Sequence, residues 1–185
     1  MKKRILSFDP GTTNTGVAVT EIDTDTGKSK VLMNTMLGSP IKNLAHNLYP
    51  QVKAFTAEVD GLVKTWKPNG LIAERFQARG LLGASAECIS VMLGIMIERY
   101  DIPIKFVTAA TWKNAFNRRI KGSKAGDLKN LYKICMTVPH QLDAVLLGLY
   151  ALEVGTKIIP QYSLTSLILQ VEKTSQTKLI RRKTR

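Results

Sequence analysis

Residues 4–22 read RILSFDPGTTNTGVAVTEI, in which a loop rich in glycine and threonine separates two short apolar runs. The first run, 4–9, ends at the carboxylate of Asp9, and the second run, 17–22, begins directly after Gly16. Short apolar runs that flank a turn-forming segment are typical of a β-hairpin. This stretch therefore predicts the first two strands of an antiparallel sheet, with Asp9 at the end of the first strand.

A third strand and a long helix follow the hairpin. A turn over residues 23–30 leads into the apolar run 31–36, so the first three strands form an antiparallel meander. Over residues 41–66 apolar side chains recur every three or four positions, which predicts an amphipathic helix. Pro50 lies inside this helix, and we expect it to break or kink the helix near that position.

Alternating strands and helices make up the rest of the chain. The pattern predicts short strands at 71–74 and 104–107, helices at 81–100, 108–116, 127–136 and 139–154, a basic loop at 117–126 and a weak helix at 164–171. This order predicts an α/β protein with a mixed five-stranded sheet, in which an antiparallel meander precedes parallel strands and helices cover both faces. We expect one domain over residues 1–160, followed by the weak helix and a basic tail over 161–185.

The composition of the 185 residues is that of a globular domain, because 44% are apolar and 22% are charged. A fully disordered chain is excluded, and apolar runs such as 91–97 are too short for a membrane span, so we expect no membrane partner. The basic start lacks the apolar stretch of a secretory signal. Cys88 and Cys135 form no CxxC pair, which argues against a zinc module and favours a reducing compartment such as the cytoplasm.

The charge balance points to a polyanionic partner. The chain has 27 Lys and Arg residues against 14 Asp and Glu residues, a net charge of +13. Six of the basic residues lie in 173–185, where there is no acidic residue, and the rest of the chain retains +7. A basic body with a basic tail is typical of a protein that binds nucleic acid, although many basic proteins have no such partner.

Four residues lie at the ends of predicted elements, where they can come together in one site. Asp9 and Glu74 each end a strand, and His140 and Asp143 share one face in the first turn of the 139–154 helix. Taken singly, each has a plain structural explanation as a turn residue, an ion pair with Arg75 or a helix-terminal group. Together they are more specific, because clustered carboxylates repel one another without a cation between them. Oxygen ligands with one imidazole suit Mg²⁺ or Mn²⁺.

Three motifs resemble those of the RuvC family of Holliday-junction resolvases, and most closely its bacteriophage branch. They are ILSFDPGTTNTGVAV at 5–19, IAERF at 72–76 and HQLDA at 140–144. The resemblance covers roughly residues 4–155 and implies the ribonuclease-H-like fold. It also implies a nuclease of DNA recombination and repair, here a phage protein that acts in the host cytoplasm.

The family's catalytic carboxylates correspond by motif to Asp9, Glu74 and Asp143. His140 takes the fourth position, where members carry either aspartate or histidine. The resemblance implies two Mg²⁺ or Mn²⁺ ions per active site, about 4 Å apart, on one scissile phosphate. The implied reaction is paired hydrolysis of four-way junctions and other branched DNA, which leaves 5′-phosphate and 3′-hydroxyl ends.

Further residues are assigned to DNA by the same resemblance. Lysines of the corresponding family segment support DNA binding and the transition state, which implies a catalytic role for Lys124 and a binding role for it and its basic-loop neighbours: Arg118, Arg119 and Lys121. Bacterial members carry a junction-opening aromatic residue three positions after the glutamate. Here that position is Gln77, and Phe76 stands one residue earlier.

The helix at 81–100 is apolar nearly all round, so it requires cover from its own domain or from a second subunit. A homodimer with two-fold symmetry matches the symmetry of a four-way junction, and the family's dimer helix lies here.

One alternative function is structure-specific DNA binding without cleavage. Another is an actin-like ATPase or sugar kinase, whose phosphate loop the DPGTTNT segment resembles, but 185 residues have room for only one of the two domains required.

Overall fold

A computed structural model of the chain describes residues 1–11, 14–38, 44–75, 84–119 and 139–153. Its elements are β1 Lys2–Asp9, β2 Thr15–Asp23, β3 Ser29–Leu37, α1 Leu44–Trp66, β4 Gly70–Glu74, α2 Ala84–Arg99, β5 Ile104–Val107, α3 Ala109–Arg119 and α4 Pro139–Glu153. The helices predicted at 127–136 and 164–171 and the basic tail lie outside the described residues. No helix within the described ranges combines the length and the apolar character needed to cross a membrane.

The five strands form one mixed sheet in the order β3-β2-β1-β4-β5. Strand β2 pairs antiparallel with both β1 and β3, whereas β4 pairs parallel with both β1 and β5. The predicted antiparallel meander and the parallel strands that follow it are therefore confirmed. Because β1, β4 and β5 run in the same direction, their carboxyl ends meet at one edge of the sheet.

Alternation along the strands divides the core into two layers. On one face Ile5, Ala18 and Ile72 pack beneath α3 and α4. On the other face Leu6 and Phe8 pack with their strand neighbours beneath α1 and α2. Helices therefore cover both faces, as predicted.

Helix α1 continues through Pro50 without interruption, so the predicted break is wrong, and the alternative of a kink stays a prediction. A proline inside a helix costs about 3 kcal/mol, because it removes a hydrogen bond and crowds the preceding turn. Val52, Phe55 and Val59 are buried on the following turns, and burial of each such side chain contributes roughly 1.5–3 kcal/mol. The packed face of the helix therefore outweighs the cost of its proline.

One further prediction needs correction. Residues 117–119 are not in a loop, because α3 continues to Arg119, so the predicted basic loop begins later than expected.

Helix α2 is covered largely by its own domain, since Cys88, Met92 and Met96 are buried in the core. Its outward side is formed by small, polar or half-exposed residues: Glu87, Ser90, Val91, Gly94 and Glu98.

Candidate active site

Asp9 and Glu74 lie side by side where parallel strands β1 and β4 end. Phe8 pairs with Ala73 in the register of the two strands, so the residue after each stands at the same level of the sheet. By alternation Asp9 and Glu74 belong to the face that carries α4, opposite to the face of Phe8 and Ala73. The two carboxylates therefore share one edge and one face of the sheet.

The first turn of α4 is pressed against the ends of β1 and β2. A Cβ atom on Gly16 would lie 2.0 Å from the carbonyl oxygen of His140, so the approach requires glycine at that position. The buried Ser7 hydroxyl lies 2.7 Å from the carbonyl oxygen of Ala144 and 3.1 Å from that of Ala18. These contacts hold the first turn of α4 over the site.

His140 directly contacts Asp9. Its Nδ1 lies 2.7 Å from Oδ2 of Asp9, whose side chain is only 13% exposed. Burial raises the pKa of Asp9 to about 6, and the nearby charges of Glu74 and Asp143 act in the same direction, although the hydrogen bond and charge of His140 oppose them. Glu74 and Asp143 are therefore close enough for their charges to disfavour the ionisation of Asp9.

Helix α3 contributes two further side chains to the site. The indole Nε1 of Trp112 donates a hydrogen bond of 2.9 Å to Glu74, and Lys113 donates one of 2.8 Å from its Nζ to Asp143. The Lys113 ammonium also lies 4.8 Å from the centre of the Trp112 ring, within the range of a cation–π contact. Sequence reasoning missed both residues. The available signal was a Trp-Lys pair in the helix that directly follows β5, beside the end of β4.

Lys113 is the cation among these acids. Burial acts to lower its pKa, but the hydrogen bond and charge of Asp143 and the charges of Glu74 and Asp9 outweigh burial and raise that pKa. The ammonium group therefore stays protonated. It offsets part of the negative charge that the three carboxylates place at this edge of the sheet.

Comparison with known proteins agrees with this architecture. No protein-family model matches the chain, and no curated protein matches it. Among solved structures, Thermus thermophilus RuvC superposes with a TM-score of 0.64 at 16% identity, over 83% of this chain and 96% of RuvC. The same protein in complex with a Holliday junction substrate gives a TM-score of 0.63 at 18% identity, over 82% and 95% of the two chains. The yeast mitochondrial Holliday junction resolvase Ydc2 gives 0.58 at 12% identity, over 82% and 78%.

The chain has the RuvC fold. The fold implied by the sequence motifs, a ribonuclease-H-like mixed sheet with helices on both faces, is thereby confirmed. At these identities the likeness concerns the fold, and the assignment to the bacteriophage branch stays a prediction.

Within this RuvC fold the types of the predicted ligands fit a divalent ion. Asp9, Glu74 and Asp143 offer hard oxygen donors, and His140 offers one imidazole. Burial, together with the charges of Glu74 and Asp143, raises the pKa of Asp9, and a bound cation would favour its ionised form. The arrangement is looser than the sequence predicts. In the described ranges no three His, Cys, Asp or Glu side chains stand close enough together to hold one ion. Each carboxylate instead faces a protein donor: His140, Trp112 or Lys113.

The side chains of six further predicted site residues lie outside the described part of the structure. Phe76, Gln77, Lys121 and Lys124 all lie outside the described residues. Arg118 and Arg119 form the end of α3, but their side chains are likewise outside the described part. Their assignments to DNA stay predictions.

Proposed function

We propose that the chain is a metal-dependent, structure-selective endonuclease that cuts four-way DNA junctions and other branched DNA. The observation that carries this proposal is the contact of His140 with Asp9 at the edge where Glu74 and Asp143 also lie. The proposal draws further support from the fold, because the Thermus thermophilus RuvC that superposes on the chain was solved with a Holliday junction substrate.

The residues that would hold Mg²⁺ or Mn²⁺, two ions per site, are Asp9, Glu74, His140 and Asp143. When bound, such ions supply a water of lowered pKa and stabilise the charge on the leaving oxygen. Asp9 is central because it contacts His140 and interacts electrostatically with both other carboxylates. Its burial lowers the local dielectric and so strengthens its attraction for cations.

The chain's own groups explain how a phosphate can approach an acidic site. Lys113 keeps a protonated ammonium beside Asp143, so one positive group faces an incoming phosphodiester. The basic residues assigned to DNA, which are Arg118, Arg119, Lys121 and Lys124, would add phosphate contacts that position the backbone without reading sequence. Phe76 and Gln77 follow Glu74 and would meet the bases next to the cut. Lys124 would also stabilise the transition state.

We further propose that the protein acts as a homodimer through the outward side of α2. Two incisions on a nearly symmetric junction require two active sites, which a two-fold dimer provides. Val91 is 39% exposed on this side, and a Cβ atom on Gly94 would meet nothing within 4 Å, so a second copy can approach closely there. The nuclease domain would span residues 1–160 and leave the tail free to bind DNA.

The proposed function is tested with labelled four-way junction, Y-fork, flap and linear duplex, each incubated with the protein and Mg²⁺, Mn²⁺ or EDTA. We expect nicks in the branched substrates with either metal, little cutting of the duplex and none in EDTA. The nicked ends should be resealed by DNA ligase, because they carry 5′-phosphate and 3′-hydroxyl groups. Stable junction binding without nicks under every condition would instead favour a non-cleaving DNA-binding protein.

A further inference from the structure

We infer that Trp112 is a positioning residue, which fixes the Glu74 carboxylate through its indole N–H so that one carboxylate oxygen stays available to a divalent ion. This inference rests on the proposed function, since it assigns Glu74 to a metal. It concerns a residue of α3 that the sequence motifs do not include.

The indole ring is held rigidly by the core. Trp112 is 1% exposed and belongs to the same core cluster as Ile72 of β4 and Val107 of β5. A ring packed in this way has little freedom to change rotamer. The direction of its N–H group is therefore set by the folded core and does not depend on solvent or on DNA.

The hydrogen bond restricts the rotation of the Glu74 side chain. Glu74 is half-buried at the end of β4, and Oε2 accepts the Trp112 N–H at 2.9 Å. An indole N–H is a neutral donor that cannot accept, so it holds one oxygen without contributing a competing charge. Among the described residues no hydrogen bond is formed to the other oxygen, Oε1, so its lone pairs are available to a cation. Groups that orient a ligand in this way are commonly worth about 10-fold or more in metal affinity.

The same ring links Glu74 to the other half of the site. Lys113 lies over the ring face at 4.8 Å and reaches Asp143 of α4. The ring edge of Trp112 therefore contacts Glu74 directly, and the ring face is linked to Asp143 through Lys113. Phenylalanine can fill much of the same volume and keep a ring face under Lys113, but it lacks the N–H. Replacement by phenylalanine therefore isolates the bond to Glu74.

The first experiment compares Trp112→Phe with Trp66→Phe, the matched control at the chain's other tryptophan. Trp66 packs against the opposite core layer. We expect Trp112→Phe to raise the Mn²⁺ concentration at half-maximal junction cleavage by about 10-fold. Saturating Mn²⁺ should restore most of the rate, and Trp66→Phe should leave the metal requirement unchanged. A Trp112→Phe protein that folds and keeps the wild-type metal requirement would overturn the inference while leaving the proposed function intact.

The second experiment needs no change at Trp112 and no cleavage. The ¹⁵N spectrum of the chain should contain two indole N–H signals, which the Trp66→Phe variant assigns. We expect Mg²⁺ to shift the Trp112 signal and to leave that of Trp66 in place, and Glu74→Gln to abolish the shift. A Trp112 signal that ignores Mg²⁺, or that shifts equally in Glu74→Gln, would overturn the inference. The result stands even if the protein cuts no DNA, so failure of the proposed function is distinguishable.

Discussion

Asp9 combines burial, a histidine partner and two neighbouring carboxylates in one side chain. Its Oδ2 contacts His140, while burial and the charges of Glu74 and Asp143 raise its pKa to about 6. A carboxylate in such surroundings stabilises the fold poorly. A residue that only forms a turn would not require burial beside two other acids. The surroundings instead suit a group that receives a cation, as expected of a site in which burial and charge keep a carboxylate ready for a ligand.

Asp9→Asn is expected to abolish cleavage, by at least about 100-fold, because a neutral amide replaces the central charged ligand. Junction binding should remain largely intact, since the change removes no phosphate-contacting cation. Cleavage and gel-shift assays on the same labelled junction check both outcomes. Asp25→Asn, in the exposed turn after β2, is the matched control and should cut normally. Wild-type cutting by Asp9→Asn would refute the site assignment.

The sequence predicts some residues of the site and misses others for a physical reason. Asp9 and Glu74 end strands, so their placement at one edge follows from the strand order alone. Trp112 and Lys113 lie on a helix that was predicted, but which helical face meets the site depends on how α3 packs on the sheet. For the same reason the sequence could not show that the predicted ligands face protein donors.

At the scale of elements, the docking of α4 on the sheet places His140 and Asp143. Gly16 and Gly148 allow the close approach, since a Cβ atom at Gly148 would lie 2.7 Å from the Thr20 hydroxyl oxygen. Fully buried Ser7 lies beneath the helix and contacts its backbone. The geometry of the site therefore depends on small residues that carry no chemistry of their own.

Gly16→Ala is expected to destabilise the protein by about 2 kcal/mol or more, because the new methyl group meets a backbone carbonyl that cannot move without shifting α4. Cleavage should fall with it, since His140 would be displaced from Asp9. Gly61→Ala on the exposed side of α1 is the control. It should stabilise the protein by roughly 0.5–1 kcal/mol through helix propensity alone. Thermal denaturation measures both changes, and equal melting temperatures would contradict the docking account.

An ion pair joins α1 to the end of α2. Arg99 donates hydrogen bonds of 2.7 and 2.5 Å to Asp60, and the Tyr100 hydroxyl donates one of 2.7 Å. The hydrogen bonds from Arg99, and to a smaller extent that from Tyr100, hold the pKa of Asp60 below its ordinary value of 3.8. A carboxyl with a lowered pKa in the folded state stabilises the protein above its unfolded pKa, and this contribution disappears as the pH falls through the folded pKa.

Asp60→Asn is therefore expected to lower the melting temperature at pH 7 by about 1–3 °C, a small effect because the pair is partly exposed. The difference from wild type should shrink as the pH falls below about 4. Melting curves of both proteins over pH 3–8 check this, with the exposed Asp101→Asn as control. A difference that persists undiminished in acid would show that the ion pair is not the cause.

Some features of the strands and helices are predictable from the local sequence pattern, whereas others depend on tertiary packing. All five strands were predictable, because their apolar runs are short and bounded by turn residues. Helix α1 was also predictable, but its uninterrupted course through Pro50 was not, because the burial of Phe55 and its neighbours against the sheet outweighs the local effect of the proline. The cover of α2 by its own domain depends likewise on tertiary contacts, which the periodicity of one helix cannot reveal.

At the scale of the whole molecule, the acidic site belongs to a chain with a net charge of +13. Part of this charge surrounds Glu21, where Lys2, Arg4 and Lys30 form ion pairs at 3.9, 2.8 and 3.3 Å. The strongest concentration of unopposed positive charge is the segment 173–185, with six basic residues and no acid. Such a segment is suited to non-specific attraction of DNA to the acidic centre.

Ending the chain at Glu172 is expected to weaken binding to all forms of DNA by roughly 10-fold or more at low salt, because fewer counterions are released. The salt dependence of binding should become shallower, while the preference for junctions over duplex should remain. Titrations of junction and duplex between about 50 and 200 mM salt measure both effects. Unchanged affinity at every salt concentration would show that the tail does not contact DNA.

The account as a whole depends on divalent ions binding among Asp9, Glu74, His140 and Asp143. Anomalous X-ray scattering from crystals of the protein with Mn²⁺ and a nicked junction locates such ions directly. We predict manganese peaks at roughly 2.2 Å from the carboxylate of Asp9 and from donors of at least one other of the four residues. The account would be contradicted if manganese bound only elsewhere in the presence of DNA. In that case Asp9, Glu74 and Asp143 would still be paired with His140, Trp112 and Lys113, respectively.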